Sequence, residues 1–337
     1  MNSNSAAPQK KPQAKQKPGM RFQERDDQIL KAIQYYGDGV LSRNQLYSLL
    51  FADVTDRAME KRLQTLQQNG YIDWPTPEQR RNHPIPKRDK GGIIWLGWKG
   101  ALYVAGQEGI AVDAPQTPNE NQLRQFQHAL RKAGFRWVRE PGWGKLAHTL
   151  DVTDFLLAVE RAVKELPGFV LEDVIQESVF RMMKDVIEVP VKGSNRQGRR
   201  VKQEVLPDLF ISIVDTKRQV QGEPVRARLL LENDRATHSN PKWGESKAMP
   251  YALYIKSDVY KKRFGHNSGR WLVVTTEEVR MKNLMVQTRQ DAGPAAKAFW
   301  FTTMPLVDRC QNVLTAPIWL RADWKKPGPL FQLKDRT

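Results

Sequence analysis

Apolar residues Ile29, Leu30 and Ile33 recur at helical spacing until Gly37-Asp38-Gly39 interrupts the pattern ahead of Leu41. Ser42 then caps a second short helix carrying Leu46, Leu49 and Leu50. Thr55 caps a third, running to Gln68, whose apolar side holds Ala58, Met59, Leu63 and Leu66 before Asn69-Gly70 stops it. Tyr71-Ile72-Asp73-Trp74 reads as a strand, a Pro- and Arg-rich loop follows, and Gly92 to Leu96 reads as the returning strand. Three helices and a hairpin predict a winged helix-turn-helix over residues 21–106.

Pro, Asn and Gln dominate Gln107 to Gln125, which suits a linker, and residues 107–140 are read as a linker and helical connector. A second domain is expected over 141–325. Val152, Phe155, Leu156, Val159 and Val163 mark its first helix. Strand-like runs follow at Phe169–Ile175, Val186–Val191, Leu209–Val214 and Val225–Leu231, the pattern of an antiparallel group. Trp243–Lys262 reads as helical around a kink at Pro250, Trp271–Thr275 as a strand, Glu277–Thr288 as a helix and Ala298–Thr302 as a last strand. The fold class expected is α/β (α+β overall), a mixed-sheet domain behind the winged helix. Residues 1–20, polar and lysine-rich, are read as a disordered basic tail, and 326–337 as a C-terminal tail.

Charge narrows the partner. Lys and Arg number 54 against 37 Asp and Glu in 337 residues, a net charge of +17, so a polyanion is expected and double-stranded DNA comes first. No stretch reaches the roughly 18 apolar residues of a membrane helix, and the N-terminus is polar, which predicts a cytoplasmic protein without a membrane partner. Cys310 is the only cysteine, so an intrachain disulfide and a thiolate zinc cluster are excluded. His83, His128, His238 and His266 show no zinc-site pairing, and no Walker A or dinucleotide turn is present to hold ATP or NAD.

Positive charge is concentrated where a winged helix meets DNA. The third helix carries Arg57, Lys61, Arg62 and Gln64 opposite its apolar side, residue types that reach base edges from the major groove. The wing holds Arg80, Arg81, His83, Lys87, Arg88 and Lys90 against only Glu78 and Asp89, suited to phosphates. A further basic loop, with Lys192, Arg196, Arg199, Arg200 and Lys202, precedes Asp208 and can clamp a nucleic-acid backbone. The plainer alternatives are a solvated helix face and a charged hairpin tip. A third reading takes Trp98 and Tyr103 as exposed rings that stack on unpaired RNA bases.

Pro207-Asp208 begins one apolar strand, and Glu232-Asn233-Asp234 ends the next. Carboxylates from neighbouring strands at one rim are what a Mg²⁺ ion on a scissile phosphate requires, which makes Asp208 and Glu232 candidate metal ligands. Asp234 stands where a simple nuclease pattern has its lysine, and Lys247 on the following helix is the substitute. His148 and Asp151 open the first helix of the domain, where Asp151 is expected to cap it and His148 to bond nearby backbone.

Leu96-Gly97-Trp98-Lys99-Gly100, the string Leu146 to Asp154, Pro207-Asp208, Glu232-Asn233-Asp234-Arg235, Lys247, Tyr251 and Val273-Val274-Thr275 together resemble the replication-relaxation family, over about Arg21 to Asp323. The resemblance implies a protein of plasmids or other mobile elements acting in replication, relaxation or mobilisation, with a second domain similar to restriction-type PD-(D/E)xK nucleases. Asp208 and Glu232 would be its metal carboxylates, Asp234 a departure from the motif lysine, and Lys247 the displaced amine. Two outcomes stay open: a Mg²⁺-dependent endonuclease, or a non-enzymatic regulator or assembly factor that uses the fold for partner binding. A homodimer, and replication or mobilisation proteins, are the expected protein partners.

Overall fold

The computed structural model describes residues 20–51, 55–83, 85–86, 89, 92–114, 118–190, 199–235 and 240–332. The expected basic tail, except Met20, lies outside them, as do Lys87, Arg88, Lys90, Lys192, Arg196 and His238.

The first core gathers α1 (Glu24–Tyr35), β1 (Val40–Ser42), α2 (Arg43–Leu50), α3 (Asp56–Gln68), β2 (Ile72–Asp73), α4 (Pro77–Asn82), β3 (Ile93–Leu96), α5 (Trp98–Gln107) and α6 (Glu120–Lys132). The three strands form an antiparallel sheet in the order β1-β3-β2. Ser42 caps α2 as expected, its side chain accepting from the Gln45 amide while Gln45 Oε1 accepts from the Ser42 amide. Thr55 caps α3. Met59, Leu63 and Leu66 are buried, but Ala58 faces solvent, because its position lies one residue off the apolar stripe. The Pro- and Arg-rich loop contains a helix that the sequence pattern does not predict: Thr76 and Gln79 close a capping box around α4, with Pro77 in the first turn, where its missing N–H costs nothing.

The stretch read as linker and connector also adds to this core. Phe126 and Leu130 of α6, with Phe135 and Trp137 after it, pack against the helices of the first core, and the Trp137 indole donates to the Leu96 carbonyl at 2.8 Å. The Leu96–Gly100 string has a steric cause. A Cβ on Gly97 would lie 2.4 Å from the Gly70 carbonyl oxygen, and one on Gly100 2.0 Å from that of Tyr71. Only glycine lets the start of α5 lie against the backbone that leads into β2.

The second unit starts with α7 (Leu146–Lys164), β4 (Phe169–Gln176), α8 (Glu177–Met182), β5 (Asp185–Pro190), β6 (Arg200–Val205), β7 (Leu209–Val220) and β8 (Glu223–Asp234). It continues through α9 (Asn240–Trp243), a π turn over Gly244–Ala248, α10 (Met249–Ile255), α11 (Asp258–Phe264), β9 (Arg270–Thr275), α12 (Glu278–Ala292), β10 (Phe299–Thr303), α13 (Met304–Arg309) and β11 (Leu320–Arg321). Six strands make a mixed sheet in the order β11-β10-β9-β8-β7-β4. β8, β9 and β10 run parallel, while β7 and β11 run antiparallel to their neighbours. The protein is therefore mixed α/β, as the sequence predicts.

Alternation along the strands divides the core in two. Leu209, Ile211, Ile213, Leu229 and Leu231 pack beneath α7, whereas Phe210, Leu230, Trp271 and Val273 meet α10 and α12 on the other face. Where a basic loop is expected before Asp208, Arg200 and Lys202 instead lie on β6, which pairs with β5 in a separate hairpin. Its polar alternation hides the strand. The expected single kinked helix over Trp243–Lys262 is a π turn and two short helices, because Ser257 caps a new start at α11. The C-terminal stretch is also packed: Gly328 bridges to Trp319, Leu330 is buried, and Phe331 stacks on Phe169 at 5.4 Å.

The two units meet along α7. Gln45 donates to the Leu150 carbonyl at 2.9 Å and to Asp154 at 2.7 Å, Tyr36 donates to Glu160 at 2.8 Å, and Val40 and Trp95 pack with Leu146 and Leu150.

Candidate functional site

Antiparallel pairing of β7 with β8 brings the start of one strand to the end of the other, so residues 24 apart in sequence become neighbours at one sheet edge. Asp208, just before β7, is buried, and its amide donates to the Leu231 carbonyl at 3.0 Å. Its Oδ2 accepts from the Asn233 amide at 2.7 Å, closing the end of β8. Its Oδ1 lies 3.1 Å from Nε2 of His148 in the first turn of α7. The other ring nitrogen of His148 is 3.4 Å from the Asn233 side chain. His148 thus reaches the rim instead of nearby backbone.

Glu232 points away from the side chain of Asn233, as strand alternation requires, and feels the charge of Asp208. Its Oε2 accepts from Tyr251 Oη at 2.5 Å and from Lys247 Nζ at 3.1 Å, and these two donors are 2.8 Å apart. Lys247 and Tyr251 are four residues apart, so one helical face presents both. Lys247 lies in the π turn, a distortion that often accompanies functional positions. The turn is held tightly to α12: a Cβ on Gly244 would fall 1.6 Å from an Asp291 carboxylate oxygen. Glu177, the first residue of α8, completes a group in which ligand atoms of His148, Glu177 and Asp208 all lie within 4.8 Å of one another.

Charge and burial separate the two strand carboxylates. Burial pushes Glu232 up to about 7, helped by the negative charge of Asp208 and opposed by Lys247. Burial also acts on Asp208, but His148, Lys247 and the Asn233 amide outweigh it and hold the carboxyl below its ordinary value. Burial would lower Lys247, yet the carboxylates of Glu232 and Asp208 raise it, so it stays an ammonium. Burial opposes the charge on His148 too, and Asp208 reverses the balance. Three carboxylates, an imidazole and an amine can together bind a divalent cation with a phosphate and hold protons at different positions.

The structure brings Asp208, Glu232 and Lys247 together. It sets Asp234 apart: both carboxylate oxygens are held by Arg280 of α12, at 2.7 and 3.0 Å, in a buried ion pair. Asp151 does not cap α7, since it lies past the first turn, where it pairs with Arg235. Sequence reasoning misses three members of the cluster. It gives His148 a backbone role, it finds Tyr251 only through a resemblance although the spacing from Lys247 is a usable signal, and Glu177 gives no signal.

Among the expected nucleic-acid contacts, Arg57 and Lys61 are exposed on α3, Arg80 and Arg81 on α4, and Arg199 and Arg200 at β6. Gln64 is exposed and lies 3.3 Å from Glu60. Arg62 is turned inward, because Asp26 is fully buried and needs a counter-charge: Arg62 Nε donates to it at 2.5 Å. Trp98 and Tyr103 are half-buried against the first core, with Tyr103 donating to Asp27 at 3.1 Å, so they are not the free stacking surface expected.

The model of the replication-relaxation family matches residues 34–268, more than half of the chain and all of the cluster. The chain belongs to the replication-relaxation family. No curated protein and no solved structure matches it. Membership in this family points to a role in replication or relaxation of mobile elements. The matched span contains Gly97, Gly100, His148, Asp208, Glu232 and Lys247, so the tight approach at α5 and the charged rim lie within it. No helix among the described residues is long and apolar enough to cross a membrane.

Proposed function

We propose that this replication-relaxation protein binds double-stranded DNA of its mobile element and hydrolyses a phosphodiester at the Asp208–Glu232 rim. The observation that carries the reading is the convergence of Asp208, Glu232 and Lys247, from three separate segments, on one buried strand edge. A structural ion pair needs two partners, whereas this rim gathers three carboxylates with an amine, an imidazole and, on Glu177, the Arg181 guanidinium.

The donor set fits a hard divalent cation. Asp208 and Glu177 offer carboxylate oxygens and His148 a nitrogen within 4.8 Å of one another, the ligand chemistry of Mg²⁺ or Mn²⁺, and Glu232 on the neighbouring strand would join them by leaving Lys247 and Tyr251. Bound there, the cation would neutralise phosphate charge and make a bound water more acidic. The protein's own groups divide the remaining work. Lys247, kept cationic, faces the charge that develops on the phosphate, and Tyr251 fixes the Glu232 carboxyl beside it until the cation binds. Asn233 and His148 orient Asp208.

DNA would dock through the first unit, read as a winged helix, with Arg57, Lys61 and Gln64 of α3 at base edges and Arg80 and Arg81 of α4 on phosphates. Lys87, Arg88 and Lys90 belong to the same proposed wing. Arg62 is withdrawn from this set by its bond to Asp26. One observation favours a second reading, a non-cleaving DNA-binding factor: the position of the motif lysine is occupied by Asp234, locked to Arg280.

Supercoiled plasmid carrying the native locus, incubated with the full chain in Mg²⁺, Mn²⁺ or EDTA, decides between them. Nicking or linearisation that needs the metal and disappears in Asp208→Ala, with duplex binding retained, is the expected result. Duplex binding with no cleavage in either metal would refute the hydrolytic half and leave the binding factor.

A further inference from the structure

At the end of the large sheet opposite Asp208 lies a second cavity, of about 950 Å³. Asp215 marks it on β7, seven residues beyond Asp208, which at ~3.3 Å per residue puts the two sites about 23 Å apart. The starts of β8 and β9 form one side, and the C-terminal stretch around Trp324 to Gln332 forms the other.

Six cations line this cavity, Lys217, Arg218, Arg226, Arg228, Arg270 and Arg321, against the single carboxylate of Asp215. Acids outside the lining answer two of them: Glu172 holds Arg226 at 2.9 Å, and Asp323 holds Arg321 at 2.5 Å. Arg270 donates to the Leu330 carbonyl at 3.2 Å. Lys217, Arg218 and Arg228 have no ion-pair partner among the described residues. Burial and the charge of Arg321 hold Arg270 below the ordinary guanidinium value, and burial with Arg226 outweighs Tyr260 and Glu172 to lower Arg228 as well. Like charges are thus crowded where an anion would relieve them.

Aromatic rings stand among the cations. The Arg270 guanidinium sits 5.4 Å over Trp300, the Arg321 guanidinium 4.7 Å over Trp324, and the two indoles meet edge to face at 4.9 Å. Trp324 and Phe331 are only half-buried and present ring surface to the cavity. Cations that follow a phosphate backbone, with rings on which bases stack, are the two parts of a single-strand site. A duplex hides its base faces and would leave these rings unused.

We propose that this cleft binds single-stranded DNA, with phosphates on Lys217, Arg228 and Arg270 and a base against Trp324 or Phe331. The site is independent of the metal rim and of the duplex surface on α3. A strand is favoured over a lone nucleotide because the cations continue from the cavity onto the exposed Lys217 and Arg218 at its edge.

The test is fluorescence anisotropy of a labelled 12-residue oligothymidylate with the full chain in EDTA, across a salt series. Arg228→Gln and the double variant Lys217→Ala/Arg218→Ala should each weaken binding and flatten the salt dependence, the slope falling by about 0.7 for each phosphate that is no longer neutralised. Trp324→Ala should weaken it roughly 5- to 150-fold, the equivalent of a stack worth ~1–3 kcal/mol. The three cationic positions are exposed or half-exposed, so their variants keep the fold even if Trp324→Ala does not. Unchanged affinity in the cationic variants would overturn the proposal, as would loss of oligothymidylate binding in Arg57→Ala/Lys61→Ala instead. Equal competition by thymidine monophosphate would overturn the strand in favour of a free nucleotide.

Discussion

Asp234 occupies the position that a simple nuclease pattern gives to lysine, and its geometry assigns it to the architecture. Its side chain is 3% exposed, that of Arg280 is 8%, and two bonds of 2.7 and 3.0 Å join them between β8 and α12. Removing one partner leaves a charge inside the protein with no counter-ion, which costs about 3–5 kcal/mol, whereas replacing both with apolar groups of similar volume is often neutral or stabilising. Arg280→Met and Asp234→Leu should therefore each destabilise strongly, and Asp234→Leu/Arg280→Met should recover most of the loss. For a unit of ~150–250 residues each kcal/mol moves Tm by about 2–4 °C, so the single variants should fall by roughly 6–20 °C.

Thermal unfolding followed by far-ultraviolet circular dichroism, with urea midpoints as a second measure, reads the cycle directly. The expected result is a coupling of at least ~2 kcal/mol, with the double variant near the wild type. If the two single losses simply add in the double variant, the pair does not exist as described. If Asp234→Asn keeps its Tm and abolishes metal-dependent cleavage, Asp234 belongs to the chemistry and its assignment here is wrong.

Two further outcomes follow from the same kind of reasoning. Gly100→Ala places a Cβ 2.0 Å from the Tyr71 carbonyl oxygen, backbone that cannot rotate aside, so it should cost ~3 kcal/mol or more and lower the Tm of the first core, whereas Gly106→Ala, with nothing within 4 Å, should not. Burial raises Glu160 above the ordinary carboxylate value, against its bond from Tyr36 and the charge of Lys164. A raised acid contributes stability that is complete below its unfolded value and is lost as pH rises through the folded one. Glu160→Gln, which can still accept from Tyr36, should thus show a higher urea midpoint than wild type at pH 8, with the difference closing by about pH 4; an equal difference at both pH values would contradict this.

The elements most legible in the sequence are those whose burial is one-sided or complete. Ile29, Leu30 and Ile33 on α1, Met59, Leu63 and Leu66 on α3, and the run Leu229 to Leu231 on β8 announce themselves because their apolar spacing matches the face they bury. β6 does not, since Arg200, Lys202 and Glu204 lie on exposed positions, Val201 is exposed as well, and of its own residues only Val205 is buried. The break of α10 from α11 is a capping event at Ser257 that periodicity cannot register. In the rim, Asp208 and Glu232 could be found because strand ends are readable, and Lys247 because a helix follows. His148 and Glu177 could not, because their approach depends on how α7 and α8 lie against the sheet edge, which no local pattern encodes.

Among the buried charged groups of the second unit, Asp185, Asp234 and the rim differ in how they are closed. Asp185 is bound by Tyr254 and by two nitrogens of Arg263, and Asp234 by Arg280, so each carboxylate is neutralised by a guanidinium in a geometry that leaves it fully answered. At the rim, Glu177, on the helix beside the strands, pairs with the exposed Arg181 one turn further along, but the two strand carboxylates use no arginine: Asp208 is met by a histidine and a backbone amide and Glu232 by a lysine and a phenol. Donors of this kind can exchange a proton or release a carboxylate to an incoming ligand, which a bidentate arginine cannot do without leaving a buried charge behind. The rim also has an open side: the side chains of Lys247 and His148 keep 25% and 24% of their exposure, against 8% for Arg280. A fold that needed only to hold β7 to β8 would have closed this cluster as it closed the other two. That contrast separates a site from a strut, and it supports the proposal that the chemistry of this protein belongs to Asp208, Glu232 and Lys247 while Asp234 keeps the strand end in position.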